Sequence, residues 1–522
     1  MTPATHLPGG AYAATASQPV RVRDGLNTRT VHLCLLTAYS AVYLLITIPT
    51  ALTRLLWNDE LFTLSIAGRP FHEMWRILAN GVDQLPPAFC AISHAALSLG
   101  GPLELRLRAP EIFGFWLMGV CLFEIIAFRT TLVHGAIAAL LPCVSAASLY
   151  AFEARPYGLV LGFTGLALLF WQRAGSDGRD SWALRGFACA LAAATASHYY
   201  AVFVALPFAA AEVFHWWQTR EFRVRIWLCL AAAGLPVLAA APLLRSAGLV
   251  AHAFWAHAHL HSIVEAYSEL LGHVFLLLLV AGLVGFVILF CGPQTDGPRR
   301  RWLPPAREII PIALLAALPV AVVPIAMLTT GAFTGRYVIA LLPGICFLVS
   351  WGIYGLTAHR PGLSTLALTL VLAAAAIHGL RLYRSTGADR AEQFSLAAYL
   401  GDQQPASLPV VITDPHSFFQ FSHYAPPQLA RRMIYLADVP LALRHTGTDT
   451  VDSGMQALAP LTGARVSGFD SFLKSNSRFL VYGYPSGTKW AWVIPELLAR
   501  HTAMQVAGSY QGQLLFLVQP GH

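Results

Sequence analysis

Charge is what this sequence has least of. Asp, Glu, Lys and Arg make up only 11% of its 522 residues, against 56% hydrophobic, and the mean hydropathy is +0.58. Soluble globular chains carry about 25% charged residues, so a soluble protein is excluded and an integral membrane protein is implied. Lysine is nearly missing. Lys474 and Lys489 are the only two, and arginine supplies the rest of the 34 basic side chains. The formal charge of +8 is scattered between apolar runs, which leaves no basic face for a nucleic-acid partner. No CxxC pair occurs among the eight cysteines, and most of these lie inside apolar runs. Neither a zinc site nor a disulfide framework is indicated; buried thiols packing as small hydrophobes suffice. A cleavable leader is also not expected, because the first apolar run exceeds the roughly 7–15 residues of a signal core and reads as a retained anchor.

What is present is a series of long apolar runs, each measured against the roughly 20 residues of a bilayer span. Val31–Thr53 is the first, followed by an amphipathic loop, 54–107, with Pro70, Pro86, Pro87 and Pro102 and short surface helices. A second span runs from about Pro110 to Phe128. Residues 132–172 are too long for one span and are interrupted only at Glu153-Ala154-Arg155-Pro156-Tyr157. Proline disfavours helix just before it and suits a helix start, so a two-span hairpin is expected there. Residues 186–217 repeat the pattern, with Ser197-His198-Tyr199-Tyr200 at the turn. Ile226–Leu244, His273–Cys291, Ile309–Leu328, Tyr337–Tyr354 and 362–380 bring the expectation to about eleven spans.

The basic residues sort to one side of these spans: the 1–30 tail with Arg21, Arg23 and Arg29, then Arg129, Arg173, Arg179, Arg185, Arg220, Arg223, Arg225, Arg299, Arg300, Arg301, Arg307 and Arg360. Positive loops stay inside, so this is the expected cytoplasmic face of an inner membrane. Asp59 and Glu60, Glu153 and Arg155, His198, the histidines at 252, 257, 259 and 261, and Arg336 then fall outside. Residues 381–522 follow them. There, short β-rich runs (Pro409–Thr413, Met433–Leu436, Arg478–Tyr482, Leu514–Val518) alternate with helix-compatible stretches (Ala391–Leu400, Trp490–Arg500), predicting an extracytoplasmic α/β domain. The expected fold class is a polytopic α-helical membrane protein with that domain at its C-terminal end.

The outer face collects the groups that chemistry on a lipid-linked substrate needs. Asn58 is a candidate cap, and Asp59 and Glu60 in a first helical turn are favoured as carboxylates. They can accept a hydroxyl proton or hold a divalent cation. Arg155 and Arg336 offer planar multi-donor contacts to phosphate; each also suits headgroup snorkelling or a local pair such as Glu153–Arg155. The four histidines lack the fixed spacing of a metal site. Two other classes stay open: a multi-span lipid or glycan flippase, which predicts charged or broken helices near the bilayer midplane, and a non-catalytic envelope-assembly partner.

Trp57-Asn58-Asp59-Glu60-Leu61-Phe62-Thr63-Leu64, Asp83-Gln84-Leu85-Pro86-Pro87-Ala88-Phe89 and Leu107-Arg108-Ala109-Pro110 resemble the first outer loop of membrane glycosyltransferases of the GT-C superfamily. The likeness is to the bacterial branch related to protein mannosyltransferases and the lipid A aminoarabinose transferase, a family-39-like group. Tyr150-Ala151-Phe152-Glu153-Ala154-Arg155-Pro156-Tyr157 is similar to the Y-A-x-E-A-R-x-Y signature of that branch. Ser197-His198-Tyr199-Tyr200 and Gly335-Arg336-Tyr337, with Pro343 beyond, are similar to its later landmarks. The motifs keep their order from about residue 31 to 355, and the Val411–Pro415 and Ser422–Tyr424 stretches resemble the C-terminal domain of such enzymes. Two positions depart: Leu85 stands where a histidine is usual, and Pro156 replaces a long aliphatic residue. The resemblance implies transfer of a sugar from a polyprenyl-phosphate carrier to a lipid, polysaccharide or protein acceptor. It implies Asp59 as base with Glu60 supporting it or binding a divalent cation, and Arg155 and Arg336 on the phosphate. Tyr157, His198, Glu153, Asp83 and Tyr337 would shape the pocket.

Overall fold

The computed structural model describes residues 26–175, 180–250, 254–291, 304–357, 360–403 and 405–520. Arg21, Arg23, Arg179, His252 and Arg299–Arg301, expected features of the tail and loops, lie outside the described residues.

The apolar runs fold as helices, in the order α1 (Leu26–Thr53), α2 (Asn58–Ala67), α3 (Phe71–Ala79), α4 (Pro87–Leu97), α5 (Leu103–Arg129), α6 (Leu132–Leu140), α7 (Tyr157–Arg173), α8 (Ser181–Ser197) and α9 (Ala205–Thr219). They continue as α10 (Val224–Ala232), α11 (Leu235–Ala239), α12 (Ala241–Val250), α13 (Ser262–Cys291), α14 (Ala306–Ala316), α15 (Leu318–Leu328), α16 (Leu341–Thr357) and α17 (Pro361–Gly401). The chain is a membrane protein: among the described residues four helices are long and apolar enough to cross a bilayer, or seven if each bent pair is one span.

The figure of about eleven spans is not established by this count, and the cause is local. The run 226–244 is cut into three short helices at Gly234, Pro236 and Pro242, because proline lacks the amide that an interior helical turn needs. The α14–α15 pair bends by 55°, and the 132–152 stretch leaves α6 through two 3₁₀ turns with an 85° bend. In α13 the break is Gly272, at φ +68, a left-handed conformation that glycine adopts without a Cβ clash.

A tight seam joins α5 to α7. A Cβ on Gly114 would lie 2.4 Å from the Gly158 carbonyl oxygen, and one on Gly162 would lie 2.6 Å from that of Gly114. Small residues four apart let two helix backbones approach this closely in a bilayer. At the far end of α5, Arg129 is more than a solvated loop charge: it pairs with Glu308, while Arg223 pairs with Glu212. Both carboxylates are buried.

α17 runs 41 residues from the helical bundle, through position 380, into a six-stranded sheet of order β3-β2-β1-β4-β6-β5. The strands are β1 (Val410–Ile412), β2 (Met433–Leu436), β3 (Val466–Ser467), β4 (Phe479–Gly483), β5 (Ala503–Tyr510) and β6 (Gln513–Gln519). The first four pair in parallel, and β6 and β5 add an antiparallel edge. Side chains alternate across the sheet, as the period-two pleat requires. Val411, Ile434, Val481 and Phe516 face a core made with Trp492 and Leu497 of the same domain. Ile412, Tyr435, Tyr482 and Leu515 share the other core with Leu56, Leu61, Leu107 and Ala154. The sheet domain is therefore packed directly onto the loop that carries Asp59.

Candidate active site

α2 begins at the end of α1 and turns its first helical residues inward. Asn58, the expected cap, is instead the first helical residue; Trp57 is the cap, with an extended backbone. Glu60 sits at the third position and accepts the Trp57 amide at 3.2 Å, the reciprocal half of a capping box. Asp59, one residue earlier, points about 100° away around the helix, so the two carboxylates take different surroundings.

Glu60 is wholly buried. Arg108, also fully buried, donates Nε to one Glu60 oxygen at 2.7 Å and Nη2 to the other at 2.6 Å. The Ala154 amide adds a third bond at 2.8 Å. Arg108 also donates to the carbonyls of Ala51, Arg54 and Leu55, at the end of α1. Burial pushes the Glu60 carboxyl up, but the Arg108 charge and hydrogen bonds, with Arg54 and the Ala154 amide, outweigh it and hold Glu60 below its ordinary range. It is an ionised bolt between α1, α2, α5 and the 153–155 bend, with no accessible oxygen for a proton or a cation. The expectation that Glu60 shares the chemistry of Asp59 meets this obstacle.

The bend is fastened to α2 from both sides, since Thr63 Oγ1 donates to the Ala154 carbonyl at 3.0 Å. Successive i→i+2 backbone bonds, Arg155 to Glu153 at 2.7 Å and Tyr157 to Arg155 at 2.6 Å, turn the chain tightly before Pro156 opens α7. This delivers Arg155 beside Asp59. The Arg155 Nε lies 3.9 Å from Asp59 Oδ2, and its Nη1 is 3.2 Å from Asp83 Oδ2. From the 3₁₀ turn Gly335–Val338, Arg336 Nη1 reaches the same Asp59 oxygen at 3.2 Å. Three segments distant in sequence thus converge on one carboxylate. Burial opposes the charge of Arg155, and Asp83 and Asp59 more than offset it, so the guanidinium is held above its ordinary range.

Aromatic rings wall the cluster. Arg336 stands over the Tyr157 ring at 5.8 Å. His198 packs 5.5 Å from Tyr157 and 5.2 Å from Tyr337, and Tyr200 lies 4.6 Å from Tyr337. Burial, then the charges of Arg155 and Arg336, push His198 down to about 3, so its imidazole is neutral at physiological pH. Leu85, where a histidine was the usual residue, is buried against Met74, Ile77 and Phe89. That position packs a small apolar core under the 54–107 loop rather than facing the cluster.

Glu153 is the second buried carboxylate of the site. Arg54 lies 3.4 Å from its Oε2, and its Oε1 is buried without a hydrogen-bond partner. Burial pushes it up to about 7; Arg54 and Arg336 oppose this, and Glu60 and Asp59 reinforce it. The folded chain therefore keeps this proton where the unfolded chain, near 4.5, has released it. The stability this supplies is complete below that unfolded value and is lost as pH rises through about 7. Glu153→Gln is expected to melt with the wild type at about pH 5 and above it at about pH 8, in detergent-solubilised protein. A constant offset at both pH values would contradict the assignment.

A divalent cation does not fit this donor set. Two guanidiniums approach the Asp59 oxygen, Glu60 is consumed by Arg108, and among the described residues no group of three or more His, Cys, Asp and Glu side chains could hold a metal ion. His257, His259 and His261 lie on a separate segment, where His259 and His261 approach Glu265 at 3.6 and 4.0 Å. Arg108 was legible only as a member of the Leu107-Arg108-Ala109-Pro110 stretch, with no role of its own. A guanidinium carried into an apolar helix demands a partner, and only the fold shows that the partner is Glu60.

No family model and no curated protein matches the sequence. Solved structures do match in fold. ArnT from Cupriavidus metallidurans in the apo state superimposes with a TM-score of 0.54 at 14% identity, over 94% of this chain and 98% of that one. The same protein bound to undecaprenyl phosphate gives 0.51 at 14% identity, over 92% and 97%. Over 94% of its length the chain has the fold of ArnT, the GT-C fold that its ordered motifs resemble.

Proposed function

We propose that the protein is an integral-membrane glycosyltransferase that moves a sugar from a polyprenyl-phosphate carrier to a hydroxyl of a lipid, polysaccharide or protein acceptor. The reaction lies on the outer side of the inner membrane and serves cell-envelope glycan or glycolipid modification. The observation that carries this reading is the convergence of Arg155 and Arg336 on Asp59 at the ends of apolar helices. Asp59 takes the acceptor proton as its oxygen bonds to the anomeric carbon. The sugar–phosphate bond breaks, and the polyprenyl phosphate leaves with the electron pair. Arg155 and Arg336 sit where that negative charge grows, and fixed donors in a poorly hydrated site stabilise it without reorganising. Asp83 orients Arg155, and Glu60 is a positioning residue that fixes α2 against the bend. Tyr157, His198 and Tyr337 form the wall, and neutral His198 adds no charge. The site needs no metal for these steps.

ArnT has been solved with undecaprenyl phosphate bound, and the same lipid is the natural probe here. Arg336→Met and Arg155→Met are each expected to weaken undecaprenyl phosphate binding about tenfold or more, the size of a lost charge-assisted hydrogen bond. Native mass spectrometry of the full chain titrated with that lipid measures it. Equal affinity in wild type and both variants would remove the phosphate assignment.

A further inference from the structure

A second space opens beside Arg336, on the side facing the sheet domain. It encloses about 430 Å³ and is lined by Trp255, Glu265, Glu269, Thr334, Arg336 and Lys489, among others. That volume lies within the roughly 300–1,000 Å³ usual for small-molecule sites. None of the steps above uses its far wall.

The wall is built from both parts of the molecule. The segment carrying Trp255 is tied to residues 331–333 by a small antiparallel bridge: Ala258 N donates to Gly331 O at 2.8 Å and Phe333 N to Ala256 O at 3.1 Å. The sheet domain contributes Lys489 from the loop after β4, with Trp490 beside it. Lys489 Nζ stands 5.7 Å from the Trp255 ring and 4.7 Å from the Trp490 ring, which meet edge to face at 5.4 Å. One of the two lysines in the chain is thus seated between two indoles by cation–π attraction. Opposite, Glu269 accepts the Tyr150 hydroxyl at 3.2 Å. It lies so close to Gly335 that a Cβ there would come within 2.3 Å of its Oε2. Gly335 thus lets a carboxylate stand next to Arg336.

These groups select by chemistry. An indole offers a rigid apolar face for ring C–H groups. Ionised carboxylates only accept hydrogen bonds and so suit hydroxyl donors. Two carboxylates on the wall, Glu265 and Glu269, repel an anionic ring, while Lys489 is turned to the indoles. A lipid tail gains nothing from walls of carboxylates, histidines and an ammonium.

We infer that this cavity is a subsite for an uncharged sugar ring, seated against Trp255 with hydroxyls donated to Glu265 and Glu269, adjoining the phosphate end at Arg336. Its place in catalysis rests on the transferase reading above; its sugar binding does not. The ring belongs either to the polyprenyl-linked donor or to the end of a glycan acceptor, and kinetics separate the two.

Saturation-transfer NMR on the full-length protein in lipid nanodiscs, with neutral hexoses and pentoses and the matching uronic acids, tests the binding. Saturable binding of a neutral sugar is expected, with its uronic acid about tenfold weaker. Trp255→Ala and Glu265→Gln/Glu269→Gln should each weaken the neutral sugar about tenfold, and Trp255→Phe should restore most of it. No saturable binding, binding indifferent to Trp255→Ala, or preference for the uronic acid would overturn the inference. In transfer assays Trp255→Ala should raise KM about tenfold, for the donor if the ring is the donor's and for the acceptor if it is the acceptor's; neither KM moving would also overturn it. Trp255-dependent sugar binding in a protein that transfers from no polyprenyl carrier would sink the transferase reading and leave the subsite standing.

Discussion

Asp59→Asn is expected to lower sugar transfer by about 10²–10⁴-fold, the usual contribution of a positioned general base, with the protein still folded. Asparagine keeps the shape of the side chain and can still meet Arg336, but it cannot take a proton. The local fold does not depend on Asp59. α2 is held by Glu60 to Arg108 and by Thr63 and Ala154 to the bend, and none of these contacts involves the Asp59 carboxylate. Removing its charge also leaves Arg155 and Arg336 with less to neutralise them, so the affinity for polyprenyl phosphate should hold or rise while kcat falls. A loss of lipid binding in step with activity would mean that Asp59 positions the arginines and does no proton transfer. Purified protein assayed for turnover and lipid binding together distinguishes the two.

Arg108→Met should destabilise the protein by about 3–5 kcal/mol, the cost of stranding one partner of a buried ion pair. Both side chains are completely buried, so water cannot solvate the carboxylate left behind. Three carbonyls of the α1 end lose their donor in the same change. The double variant Glu60→Gln/Arg108→Met should recover part of the loss, because a neutral amide is cheaper to bury than a carboxylate. Melting of the detergent-solubilised protein followed by tryptophan fluorescence measures both. If Arg108→Met melts like wild type, the pair is not the bolt between α1, α2 and α5.

The parts of the fold that were legible in the sequence are those governed by local chemistry. Apolar runs gave helices α1, α5 and α17; the proline after Arg155 and the polar break at His198 marked turns; the β-rich runs at 410, 433, 479 and 514 became strands. Asp83, Arg155 and Arg336 could be proposed as a group from motif order, and the structure brings all three to Asp59 directly or through one another. What could not be read locally depended on long-range partners. Asp59 and Glu60 are adjacent and chemically alike, and only Arg108, 48 positions along from Glu60, tells their surroundings apart. The strand β5 was missed because it is largely exposed and owes its pairing to β6 rather than to its own composition. The number of spans eluded a length criterion for a similar reason, since proline and Gly272 cut apolar runs into bent pieces. The sheet domain looked separate by composition, yet Tyr424 and Gln420 bind Leu56 at 3.0 and 3.1 Å, just ahead of α2.

The central claim is that Asp59, with Arg155 and Arg336, forms a transfer site for polyprenyl-phosphate sugars. Its most direct test is a single assay of wild type and Asp59→Asn in matched membranes, supplied with a panel of labelled polyprenyl-phosphate sugars and endogenous envelope acceptors. Label should leave one carrier and enter an acceptor in the wild type, with Asp59→Asn slower by about 10²-fold or more. Transfer at wild-type rate in Asp59→Asn would contradict the role of Asp59. No movement of sugar from any polyprenyl carrier in the wild type would contradict the transferase itself.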